Sequence, residues 1–373
     1  MLIERVRVID KDSDYTANVL IKEGKIKEIT KCDGEGKYVL MPAFIDMHTH
    51  LRSPGYEYKE DLESGQKAAL KGGYTTLCSM ANTLPVCDNE KTIEYIKDES
   101  KRLNLCEVIP VCSVTRNLEG KEIVNIDNMI KHTNLFSDDG NTIFSQSIMK
   151  DSLNLSKEYG FKILTHCQPE AKIIKRDLNL LEEIGGNLHI CHVSSKDSVE
   201  LIKNHKDKGL DFTCEVAPHH IYGYDIDYKV NPSFRSKEDF ESLIEGIKDG
   251  YIDIIATDHA PHSAEDKMKG SPGISNIEVA FSMAYTSLNK YGIDLNKISE
   301  LMSYNPAKIL GLNKGLIRVG DDADLVLIDM DEEYEIDTND FVSKGKNNPF
   351  NKEKVKGRIL KTMRKGRVLY DYR

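Results

Sequence analysis

Residues 161–194 read FKILTHCQPEAKIIKRDLNLLEEIGGNLHICHVS. A short apolar run, FKILTHC (161–167), passes almost directly into a helix-like stretch. That stretch ends at Gly185–Gly186, and a second apolar run, LHICHVS (188–194), follows. Glycine suits such an end because it takes the left-handed conformation of a helix C-terminus without strain. The segment predicts strand, helix and parallel strand.

The same alternation extends outward over residues 43–312. The other runs are FIDMHTH (44–50), TTLCSMAN (75–82), EVIPVCSV (107–114), NLFSDD (134–139), FTCEVAP (212–218) and DIIATDH (253–259), which makes eight in all. Between them lie amphipathic stretches such as KEDLESGQKAALKGG and SQSIMKDSLNLSKEYG. Eight strand–helix units in one domain of this size predict an α/β fold of the (β/α)8, TIM-like barrel type. The two ends of the chain read differently. VRVID, NVLIKEGKIKEIT and KYVLMP at one end, and DADLVLIDM, GRILKTMRKG and GRVLYDYR at the other, are short strands with glycine turns. Residues 1–42 plus 313–373 are therefore expected to form one small β-sandwich domain, with the barrel of 43–312 inserted between its halves.

Composition narrows the function. The chain has 373 residues, 30% of them charged, and a net charge of −10. An acidic protein is a poor match for nucleic acid or an anionic membrane, because both demand basic surface. No apolar run approaches the roughly 20 residues that span a bilayer, and the N-terminus lacks a signal-peptide core. A cytoplasmic location is expected. The eight cysteines include no C-x-x-C pair and sit mostly inside apolar runs, which predicts buried free thiols.

The placement of polar residues carries the chemistry. A charged or imidazole side chain in a buried strand is costly without a partner. Yet the runs finish in His48 and His50, in Asp138 and Asp139, in His166, in His192, and in Asp258 and His259. All lie at C-terminal strand ends, the face on which barrel enzymes build their sites. Any one of these histidines alone reads most simply as a buried, hydrogen-bonded side chain. Several converging on one rim offer the nitrogen and oxygen donors that zinc or manganese takes in hydrolytic sites. Six such ligands exceed what one tetrahedral ion uses, so a binuclear centre is expected.

Taken together, FIDMHTHLRSPGYEYKED, GGYTTLCSMANT, FSDDG, THCQPE, CHVSS, EVAPHH, NPSFR and IATDHAPHSAEDK resemble the bacterial, zinc-dependent dihydroorotases of the amidohydrolase superfamily. The resemblance runs from about residue 40 to SKGKNNPF near 350. It implies reversible closure of N-carbamoyl-L-aspartate to (S)-dihydroorotate plus water, in pyrimidine biosynthesis. By the same resemblance His48 and His50 bind one zinc ion and His166 and His192 the other. Asp139, with a hydroxide, bridges the two. Asp258 binds the first ion and shuttles the proton as hydroxide attacks the ring amide in the hydrolytic direction. His50, Arg52, Asn82, Asn231, His262, Pro272 and Gly273 contact substrate.

Relatives acting on hydantoins usually bridge their ions with a carboxylated lysine, which the fourth run lacks at its end. Asp138 is expected to orient the ligands, His189 to be structural and His259 to brace its neighbours. His219 and His220 are expected to hydrogen-bond within the rim, and His132 and His205 to be solvated. The sequence departs from the family in MAN at 80–82, in NPSFR at 231–235, and in the short segment between His166 and His192. A homodimer and association with aspartate transcarbamoylase stay open. Two other readings stay open: a hydantoinase- or allantoinase-like cyclic amidase, and an inactive partner of aspartate transcarbamoylase.

Overall fold

The computed structural model describes residues 1–372. Strands β1 (Leu2–Asp10), β2 (Ser13–Lys22), β3 (Lys25–Lys31) and β4 (Val39–Pro42) come from the N-terminal end. Eight barrel strands follow: β5 (Phe44–Thr49), β6 (Tyr74–Ser79), β7 (Glu107–Pro110), β8 (Leu135–Phe136), β9 (Lys162–Thr165), β10 (Leu188–Ile190), β11 (Thr213–Val216) and β12 (Ile254–Ile255). The C-terminal end supplies β13 (Leu325–Glu335), β14 (Lys354–Arg364) and β15 (Arg367–Asp371).

Strands β5 to β7 and β8 to β12 form two parallel sheets. Parallel bridges Cys112–Phe136 and Thr49–His259 join them at both edges, which closes the ring. Alternation of side chains across each strand separates two cores. Ile163 and Ile255 face the helices, whereas their neighbours Leu164 and Ile254 fill the barrel with Met47, Cys78, Val111, Leu135 and Cys191. This apolar plug fills the barrel interior, and the expected metal ligands lie at the strand ends above it.

The helices show why the quoted pattern folds as it does. Glu170–Ile184 buries Ile173, Ile174, Leu178 and Leu181 on one face and stops at Gly185, whose φ is +79°. Gln146–Tyr159 starts at Ser145, whose hydroxyl accepts from the Ile148 N–H at 3.3 Å.

Strands from both termini form a single seven-stranded sheet ordered β15-β14-β13-β4-β1-β2-β3. It packs a core of its own, including Val8, Val19, Ile26, Leu40, Leu325 and Met363. Seven of the eight cysteines are buried and all are free, as expected. His205 is not solvated, contrary to expectation. It shares the buried stripe of Val199 and Ile202 on the helix Lys196–Asp207, and its Nδ1 lies 2.7 Å from the Leu201 carbonyl. His132 is half-buried, 3.1 Å from Glu90.

Candidate metal centre and substrate mouth

The six expected ligands meet at the C-terminal mouth of the barrel and all are buried. Asp139 stands at their centre and divides its two oxygens. Oδ2 lies 3.3 Å from His48 Nε2 and 3.4 Å from His50 Nε2. Oδ1 lies 3.2 Å from His166 Nδ1 and 3.3 Å from His192 Nε2. Asp258 Oδ1 joins the first pair, 3.3 Å from His50 Nε2 and 3.6 Å from His48 Nε2. Two donor groups result, His48–His50–Asp139 and Asp139–His166–His192, each with its ligand atoms within 4.8 Å of one another.

These residues fit a pair of zinc-like cations. The donors are all imidazole nitrogen or carboxylate oxygen. His48 Nε2 is buried and has no hydrogen-bond partner among the described residues, while His48 Nδ1 is taken by Glu215 at 2.5 Å. Burial pushes the Asp139 carboxyl up, but His48, His166 and His192 outweigh it and hold it well below the usual carboxylate range. It is therefore ionised, the form that binds metal.

Backbone geometry at the mouth is unusual. Arg52, His192 and Asp258 all have positive φ, at +60°, +35° and +46°. Non-glycine residues rarely adopt this region, and such outliers cluster where surrounding structure holds functional groups in place.

Four acidic residues that sequence reasoning passed over supply that hold. Glu215 on β11 accepts from His48, and its other oxygen lies 2.9 Å from His189 Nε2. His189 Nδ1 in turn meets Thr213 Oγ1 at 2.8 Å, so His189 is structural as expected. Burial raises the Glu215 carboxyl, but His48 and His189 together bring it down to about 2. Asp46 accepts from the Thr257 N–H at 2.8 Å and the Thr257 hydroxyl at 2.5 Å, which pins the residue before Asp258. Glu60 lies 3.4 Å from His259 Nε2. Glu170 accepts from the N–H groups of Ser194 and Ser195 at 2.9 and 3.0 Å, and pairs with Arg235 at 3.3 Å, just beyond His192. For Asp46 and Glu215 the available signal was a charge embedded in an apolar run, as in FIDM and FTCEV. Asp138, expected to orient the ligands, directs its carboxylate to Thr115. It accepts from the Thr115 N–H at 2.9 Å and from the Thr115 hydroxyl, tying the β8 loop to the loop after β7.

The expected substrate contacts line the same mouth. Asn82 Oδ1 meets His50 Nδ1 at 2.8 Å, and Asn231 Nδ2 meets His166 Nε2 at 3.1 Å, so each amide also steadies a ring of the cluster. Arg52 Nε donates to the Pro261 carbonyl at 3.3 Å, and Nη2 lies 3.3 Å from His262 Nε2. A guanidinium has no lone pair to offer, so His262 accepts. Burial and the Arg52 charge push His262 down to about 3, which keeps it neutral. Burial lowers Arg52 to about 10, still protonated at neutral pH. Gly273 packs under His262, and a Cβ there would sit 3.0 Å from His262 Cδ2. Pro272 is exposed beside it. His219 Nδ1 meets Asn276 Nδ2 at 3.2 Å and His220 Nε2 meets the Pro232 carbonyl at 3.0 Å, both within the rim. His259 Nδ1 accepts from the Asn276 N–H at 3.2 Å.

Gly55 explains the close approach of two mouth loops. Its φ is +98°, and a Cβ would lie 2.0 Å from the Leu84 carbonyl oxygen. Gly55→Ala is expected to separate the loops carrying Arg52 and Asn82. It should cost about 1–3 kcal/mol of stability and several-fold in kcat/KM. Thermal unfolding and steady-state kinetics check this; a variant unchanged in both contradicts it.

Comparisons with known proteins agree with this geometry. Residues 39–369 match the amidohydrolase family. A dihydroorotase from Clostridium botulinum is 42% identical, with 99% of each chain aligned. That alignment spans 400 positions against the 373 residues here, so the relative carries segments this chain lacks. Dihydroorotases from Thermoanaerobacter sp. and Aquifex aeolicus are 40% and 35% identical over 99% of this chain and 97% and 99% of theirs. Among solved structures, the L-hydantoinase (dihydropyrimidinase) of Arthrobacter aurescens superposes with a TM-score of 0.87 at 25% identity, covering 99% of this chain and 96% of its own. The D-hydantoinase of Thermus sp. reaches 0.84 at 24% identity over 98% and 94% of the two chains, a likeness of fold. The chain belongs to the amidohydrolase family and, within it, to the dihydroorotases.

Proposed function

We propose that this protein interconverts (S)-dihydroorotate and N-carbamoyl-L-aspartate, and that the carrying observation is Arg52. Its guanidinium is buried at the mouth, touches only a carbonyl and a neutral imidazole, and has no carboxylate within ion-pair distance among the described residues. Asp258, Asp139 and Glu60 favour its charge from a distance, but a buried cation with no direct ion pair is still costly. Dihydroorotate and carbamoyl aspartate both carry an unreactive carboxylate that would complete the pair, through the planar fork that suits bidentate binding. A hydantoin or dihydropyrimidine ring lacks that group.

His48, His50 and Asp258 would hold one zinc ion, His166 and His192 the other, with Asp139 shared. Bound zinc supplies a Lewis acid that polarises a carbonyl and lowers the pKa of water from about 16 to about 7. The chain's own residues do the rest. Arg52 and His262 anchor the spectator carboxylate and thereby fix which ring amide faces the cluster. Asn82 Nδ2 and Asn231 Oδ1, the amide atoms not engaged with His50 and His166, are available to the ring. Asp258 takes the proton of the attacking water in hydrolysis and returns it to the departing nitrogen; in ring closure the transfers reverse. For such an enzyme in the cytoplasm, a homodimer and association with aspartate transcarbamoylase stay open. Light scattering and co-purification check the assembly.

The test compares turnover of dihydroorotate and dihydrouracil by zinc-loaded protein, beside Arg52→Gln. Dihydroorotate is expected to be the preferred substrate, and Arg52→Gln to lower its kcat/KM by about 10²–10³-fold, the equivalent of losing a buried charge pair. Preference for the uncharged ring would overturn the assignment in favour of a hydantoinase-like enzyme.

A further inference from the structure

The Arg52–His262 clamp does not stand on the barrel alone. The segment 343–350, SKGKNNPF, returns from the C-terminal part of the chain and lies along the loop that carries His262. Asn347 is its central residue. Its Oδ1 accepts from the His262 N–H at 3.0 Å and from the Ser275 hydroxyl at 2.8 Å. Its Nδ2 donates to the carbonyls of Ala260 at 3.2 Å and Gly273 at 3.0 Å. One side chain, 85 residues from His262 in sequence, thus gathers both strands of the 260–275 loop where they flank His262.

The fit around it is close. The Ser275 N–H donates to the Asn347 carbonyl at 2.9 Å, and Asn348 Nδ2 donates to the Ser275 carbonyl at 2.8 Å. At Gly345 a Cβ would meet Pro261 Cβ at 2.6 Å and Ser275 Oγ at 2.4 Å. Pro261 is the residue whose carbonyl accepts from Arg52. The same segment also reaches the neighbouring loop after β5, where the Ser343 hydroxyl donates to Glu60 at 2.5 Å.

We propose that Asn347 is a positioning residue for substrate-carboxylate recognition: it sets the Ala260–His262 backbone that holds the Arg52 guanidinium in place. The proposal rests on the reading of Arg52 and His262 as the carboxylate clamp. Asn347 acts at the binding end of the mouth, away from the reacting amide, so its loss weakens binding more than turnover.

Asn347→Ala and Asn347→Asp, the latter keeping both accepted hydrogen bonds, are compared with wild type in zinc-loaded protein well below their melting temperatures. The KM for dihydroorotate is expected to rise by about tenfold or more, with kcat within about threefold. In an Arg52→Gln background the further change in KM should be less than about twofold, because the clamp it serves is already gone. A KM unchanged in both variants, a loss confined to kcat, or the same fold-change with and without Arg52 would each overturn the proposal. Wild-type protein that does not turn over dihydroorotate at all would instead sink the proposed function, so the two failures are separable.

Discussion

Asp258→Asn is expected to lower kcat for dihydroorotate hydrolysis by about 10²–10⁴-fold, the range attributed to a positioned acid–base group. The substitution preserves shape. The Thr257–Asp46 anchor that precedes it uses Thr257 backbone and hydroxyl, neither of which changes. The backbone at 258 is left-handed, with φ at +46°, and asparagine tolerates that region better than most residues. Folding should therefore survive, with far-ultraviolet circular dichroism and melting temperature near wild type. An amide can still accept a hydrogen bond from His50, but it cannot take up and return a proton. The measurement is an ultraviolet assay of ring opening on protein of known zinc content. A rate within a few-fold of wild type, at equal metal content, would show that the proton travels by another group.

Asp139→Asn is expected to act on the centre itself. The carboxylate serves two histidine pairs at once because it has two equivalent acceptor oxygens, at 3.3 and 3.4 Å from one pair and 3.2 and 3.3 Å from the other. An amide has one oxygen and one NH2 group, so only one pair keeps an acceptor and the other faces a donor. The variant should bind fewer than two zinc ions per chain and lose about 10²-fold or more in kcat. Elemental analysis after gel filtration reads the first effect independently of activity. Two tightly held ions together with near-normal turnover would mean that Asp139 does not bridge.

Much of this architecture was legible in the chain. Each of the eight apolar runs became a barrel strand, because a strand buried on both faces needs continuous apolar sequence. The stop at Gly185 was readable because capping is a property of a few adjacent residues. His205 misled because a lone imidazole in a polar helix looks solvated; its spacing from Val199 and Ile202 was the signal for burial. Glu215, Asp46, Glu60 and Glu170 were passed over because their meaning lies in partners that sit far away in sequence. Glu215 meets His48 across 167 residues, and Glu60 meets Ser343 across 283.

What the sequence by itself determined was the period of each element and the chemical type of the groups left at its end, since both depend on neighbours along the chain. What only the tertiary structure decided was orientation: which Asp139 oxygen faces which histidine pair, which ring nitrogen of His48 is left open, and that Arg52 is buried with no carboxylate within ion-pair distance among the described residues. Those follow from how the closed ring staggers its strands and how the C-terminal segment folds back over the mouth. Distances across a barrel are set by closure and packing, and no local pattern encodes them.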